Sequence, residues 1–99
     1  MKLKVSNKAA SWYKEELDLN DGDSLRFFVR YGGNSTIQSG FSLGVINDTP
    51  KEAAAMAEAN GLTFFVEESD VWYFDQYDLQ VNVKEDGDEP EFHYEKTAE

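Results

Sequence analysis

Residues 25–45 read LRFFVRYGGNSTIQSGFSLGV. Leu25, Phe27, Val29 and Tyr31 alternate with Arg26 and Arg30, and Phe41, Leu43 and Val45 alternate with Ser42 and Gly44. A period of two on both sides predicts two half-buried strands. Paired glycines and a run of amide and hydroxyl side chains join them. Gly32 and Gly33 suit a turn that needs positive φ, and Asn34, Ser35 and Thr36 can satisfy backbone groups locally. The competing reading is a loop built to hold a ligand.

The same period continues along the chain. Leu79, Val81 and Val83 alternate with Gln80 and Asn82, and Phe92 and Tyr94 make a short last strand. LTFFVEE (62–68) and VWYF (71–74) are more continuously apolar, as strands covered on both faces are. One helix is predicted from about Asn7 to Leu17, capped by Ser6, with Ala9, Ala10, Tyr13 and Leu17 on one side and DLNDGD ending it. Residues 51–59, KEAAAMAEA after Pro50, have helix-forming composition. The chain reads as one domain over 1–99, with a core from about 5 to 94 and an acidic tail at 95–99, of which 96–99 are expected to fray.

Charge narrows the functions. The chain carries 20 acidic and 9 basic residues, net -11, and residues 67–99 alone hold -10 of it. Residues 24–47 contain Arg26 and Arg30 and no acid. Such a field repels phosphate backbones and anionic lipid and favours cations or basic partners, so neither nucleic acid nor a membrane is expected. With no cysteine, disulfides, thiolate metal sites and cysteine nucleophiles are excluded. No signal-peptide core or spanning segment is visible, and a cytoplasmic protein is expected.

Motifs for catalysis are weak. The glycine pair lacks the GK[ST] ending of a phosphate loop and joins strand to strand. A calcium loop from Asp18 would need glycine and glutamate where Asp23 and Val29 stand. His93 shares a strand face with Glu91 and Glu95, but side chains two apart on a strand are roughly 6 to 7 Å apart, which favours a solvated face over a metal site. Glu67 with Glu68, or Asp75 with Asp78, would form an acid and base couple only if folding joined them. No enzyme is expected.

The order of these pieces resembles a known family. FFVRYGG with GFSLGV, then TFFVEESDVWYFD and a final aromatic strand, are similar to the HesB-type (IscA-like, A-type carrier) iron-sulfur cluster biosynthesis domain, in a divergent, cysteine-poor bacterial branch. The likeness runs from about Val5 to Tyr94. It implies a mainly β, α+β fold: two packed β-sheets in a barrel-like sandwich with one N-terminal helix. It also implies that 51–59 is an edge strand, which the Asn60-Gly61 hairpin signal supports against helix propensity.

In that family three cysteines hold iron or a cluster, one in the glycine loop and two in a CxC pair near the C-terminus. Here Asn34 stands at the loop position with Ser35 beside it, and EKTAE follows Tyr94. No cofactor is certain, and iron is the one that the resemblance suggests, with Asn34, Ser35 and His93 as its nonthiolate candidate ligands. The functional expectation is an adaptor, regulator or nonthiolate iron binder in iron-sulfur assembly, docking on a basic or cysteine-bearing protein partner. The alternative is an acidic β-sandwich interaction module with no metal role, able to pair as a homodimer through strand edges.

Overall fold

A computed structural model describes residues 1–35 and 37–96, with the side chain of Asn34 outside the description. Its elements are β1 (Leu3–Val5), α1 (Asn7–Glu16), β2 (Ser24–Asn34), β3 (Ser39–Asn47), β4 (Ala53–Ala59), β5 (Leu62–Glu67), a 3-10 turn (Glu68–Asp70), α2 (Val71–Phe74), β6 (Tyr77–Val83) and β7 (Pro90–Lys96). Two sheets form, ordered β3-β2-β5-β4 and β1-β6-β7, and pack as an open sandwich. The expected mainly β architecture with an N-terminal helix is what the chain adopts.

The inner face of the four-stranded sheet follows from the alternation. Leu25, Phe27, Leu43, Phe64, Leu62 and Ala59 meet Leu3, Leu79 and Val81 of the smaller sheet, and Phe92 and Tyr94 pack against them. Phe27 stacks on Phe64 with ring centroids 5.7 Å apart, and Tyr13 of α1 meets both rings at 6.2 and 5.9 Å. Buried aromatic area of this kind gives a small sheet protein its core. β5 is covered on both faces, since Phe65, which points away from Phe64, is also fully buried.

Residues 53–59 are a strand, at the edge of the larger sheet. Asn60 (φ 49°) and Gly61 (φ 80°) both take left-handed conformations, the requirement of the two-residue turn that closes Ala59 onto Leu62. Pairing with β5 therefore overrides the alanine-rich helix propensity.

Two expectations need correction, and one strand was not expected. VWYF is a helical turn rather than a strand: it follows the 3-10 turn and ends at Asp75 (φ 43°) and Gln76 (φ 71°). Helical geometry lets the adjacent Tyr73 and Phe74 both enter the core, whereas a strand would send them to opposite faces. Leu17 is the C-cap of α1 and is 44% exposed instead of joining the apolar side. LKV at 3–5 is a strand that the periodicity did not reveal; it pairs in parallel with β6 as Leu3 to Leu79 and Val5 to Val81.

Ser6 caps α1 as expected, its Oγ accepting the Ala9 N–H at 3.1 Å, while its own N–H donates to the Val81 carbonyl at 2.9 Å. Ser6→Ala removes only the side-chain bond and is expected to cost about 1 kcal/mol. A urea titration that showed no shift in midpoint would contradict this role for the hydroxyl.

Candidate functional site

The glycine loop lies where β2 outruns the core. Pairing with β3 is regular to Tyr31–Phe41, then shifts register before Asn34–Ser39. Gly32 (φ 113°) and Gly33 (φ 70°) occupy the shift with the positive dihedrals that suit glycine. Ser42 Oγ donates to the Gly32 carbonyl at 3.1 Å. Ser35 spends its hydroxyl within the turn, donating to the Gln38 carbonyl at 3.1 Å and accepting the Gln38 N–H at 3.0 Å. The amide of Gln38 donates to the Tyr73 carbonyl at 3.4 Å and ties the loop to α2.

One side of this loop opens on a groove of about 450 Å³ toward β7, walled by Ser35, Leu43, Glu91, Phe92 and Tyr94 among others. Tyr94 shares a 2.9 Å hydrogen bond with Tyr73, and burial, followed by that bond and its electrostatic effect, pushes the Tyr94 phenol well above its usual range. The Tyr94 hydroxyl is thus held neutral and cannot serve as a base near neutral pH.

The candidate metal ligands fall as follows. Ser35 is at the groove, while the Asn34 side chain and Thr36 lie outside the described residues. His93 stands between the inward rings Phe92 and Tyr94, so it faces outward, with Nε2 3.5 Å from Glu91 Oε1. Glu91 also pairs with Lys84 at 3.4 Å. Among the described residues, no group of three histidine, aspartate or glutamate side chains comes close enough to hold one ion. Chemically this donor set does not fit an iron-sulfur cluster: there is no sulfur ligand, and the loop hydroxyl is already engaged.

Glu67, Asp70 and Asp78 each have a structural role, whereas Glu68 and Asp75 are exposed. Glu67 is buried and accepts the N–H groups of Lys51 and Glu52, both at 2.7 Å, fixing the approach to β4. Asp70, also buried, takes the Arg26 guanidinium at 2.8 Å, with Asp48 at 3.8 Å on the other side. Asp78 accepts the N–H of Lys2 at 2.7 Å.

On the other side of the loop is a feature that alternation concealed. Tyr31, placed by its parity in the half-buried row, is 92% exposed because β2 continues past the core. Its ring meets Phe41 edge to face at 5.6 Å, and Phe41 meets Trp72 of α2 in the same way at 5.2 Å. Trp72 is itself 53% exposed. An aromatic ridge therefore runs across the end of the sandwich. The only sequence signal for it was the position of Tyr31 directly before the glycines.

A family model described as iron-sulphur cluster biosynthesis matches residues 1–94. The chain is 60% identical over 95 residues to the pyruvate dehydrogenase inhibitor of Bacillus subtilis (strain 168), covering 96% of this chain and all of that protein. It is 40% identical over 92 residues to an uncharacterised protein of Staphylococcus saprophyticus (90% of this chain, 94% of the relative). A third, uncharacterised relative from Staphylococcus haemolyticus is 36% identical over 93 residues (90% and 93%).

Proposed function

The chain belongs to the iron-sulphur cluster biosynthesis family, and from that premise we propose that it inhibits pyruvate dehydrogenase by binding it as a protein, without cluster chemistry of its own. The observation that carries this reading is the end-to-end likeness to the Bacillus subtilis inhibitor. Two features of the chain support it. The family's thiolate ligands are absent, which removes the chemistry of a cluster carrier. A rigid aromatic ridge stands exposed beside the glycine loop, where a monomer gains nothing by leaving it in water. The protein acts by occupying a surface, and no catalytic role is assigned to it.

Family membership favours one second reading, an adaptor in iron-sulfur assembly that docks on a cluster-handling partner. The two separate in one assay series. Added to purified pyruvate dehydrogenase complex, the metal-free chain is expected to depress NADH formation to a saturable limit, with no change when a chelator is present. Full activity at a large excess of the chain would reject the inhibitor reading. Anaerobic capture of a cluster-assembly protein would then favour the adaptor.

A further inference from the structure

We propose that the ridge Tyr31, Phe41 and Trp72, whose Trp72 lies in an acidic segment with the exposed side chains Glu68 and Asp75, is the docking surface of this protein, and that it seats in an apolar pocket rimmed by basic side chains on pyruvate dehydrogenase. The choice of enzyme rests on the reading above; the choice of surface rests on geometry and charge.

The ridge is held in place before any partner arrives. Tyr31 and Phe41 are directly opposed residues of β2 and β3. Trp72 is fixed by the fully buried Tyr73 that follows it, whose ring it meets at 6.3 Å, and the Gln38 amide braces the same turn. Large aromatic side chains that are already ordered lose little entropy on binding, and tyrosine and tryptophan are enriched among residues that dominate interface energies.

Charge selects the partner's chemistry. Residues 52–83 contain no lysine, arginine or histidine. Of the acids just before and after Trp72, Glu67 and Asp70 are occupied by backbone N–H groups and by Arg26, whereas Glu68 and Asp75 are exposed. These two lie four residues before and three after Trp72 in the chain, on the same short segment. Arg30 does not offset them: it faces the opposite side of β2 from Tyr31, its stem lying across Gly44, where an added Cβ would come within 2.7 Å of Arg30 Cδ. An apolar ridge in an acidic segment complements a pocket with a positive rim. A second copy of this chain fits less well, because a twofold contact through the ridge would bring together two copies of an acidic segment, with no basic side chain in 52–83 to offset the charge.

The test uses the purified complex, with binding followed by surface-immobilised kinetics and inhibition by NADH formation, for wild type, Tyr31→Ala, Trp72→Ala and the double variant Glu68→Lys with Asp75→Lys. Each alanine is expected to weaken binding and inhibition by at least about tenfold, mainly through faster dissociation. The charge reversal is expected to slow association and flatten its dependence on salt. The solvent exposure of Tyr31 makes Tyr31→Ala safe for the fold, and urea midpoints verify this for every variant.

Wild-type binding with both alanine variants within about twofold of it would overturn the docking surface and leave the inhibitor reading standing. Binding without inhibition, lost in the alanine variants, would keep the surface and remove the inhibitor reading. If wild type neither binds nor inhibits, both fall. Sedimentation of the free chain provides the remaining outcome: a dimer that Tyr31→Ala dissociates would assign the ridge to a second copy and overturn the proposal.

Discussion

Phe64→Ala is expected to destabilise the fold by about 3 to 5 kcal/mol. Phe64 is fully buried on β5, the strand that joins parallel β2 to the edge strand β4. Its ring stacks on Phe27 and is met by Tyr13, so removing it leaves a void bordered by both sheet and helix. Those neighbours cannot collapse easily, because Phe27 is also held edge to face by Phe92 across the sandwich at 5.7 Å. A domain of this size has roughly 5 to 15 kcal/mol of total stability, so the loss takes about a fifth of it or more. The midpoint of thermal unfolding should fall by on the order of 15 to 30 °C, with the urea m-value unchanged. A drop of only a few degrees would mean that the aromatic stack is not the centre of the core.

Much of the fold was legible because one face of nearly every strand is buried. The alternation in β2, β3 and β6 gave their inward residues correctly, and the continuous run of β5 marked burial on both sides. Asn60-Gly61 identified the β4–β5 turn even though the alanines before it favour a helix, since turn geometry is a stronger local constraint than a propensity difference of a few tenths of a kcal/mol per residue. VWYF failed for the opposite reason. A four-residue apolar run carries no period, so nothing local separates a buried strand from a buried helical turn. β1 was hidden because three residues acquire strand geometry only by pairing with β6, which lies 76 positions away. At the candidate site, parity placed Tyr31 on the correct face, but parity does not say where the core ends. The Arg26–Asp70 pair, which separates the committed acids from Glu68 and Asp75, joins residues 44 positions apart and is equally invisible to local patterns.

Alkaline solution should unfold this protein more steeply than its net charge alone predicts, because two tyrosines must stay neutral in the folded state. Burial raises the Tyr13 phenol from 10.0 to about 12, and burial with the Tyr73 hydrogen bond raises Tyr94 further. In the unfolded chain both phenols ionise near the usual value of about 10. Below that pH neither state has lost the protons, and the two groups contribute no pH dependence. Above it the unfolded state binds fewer protons than the folded one, so stability falls as pH rises. Each such group contributes a slope of about 1.4 kcal/mol per pH unit, until Tyr13 also ionises in the folded state near pH 12. For Tyr13 the loss between pH 10 and 12 is on the order of 2 kcal/mol, and Tyr94 adds to it in the same direction, a large share of a marginal domain's stability. The measurement is urea unfolding at successive pH values. Tyr13→Phe should flatten the slope by about half and leave the decline due to Tyr94, while Tyr94→Phe, which also releases Tyr73 from its partner, should flatten it by a similar amount with some loss of stability at neutral pH. A slope unchanged in both variants would show that the phenols ionise without unfolding the protein.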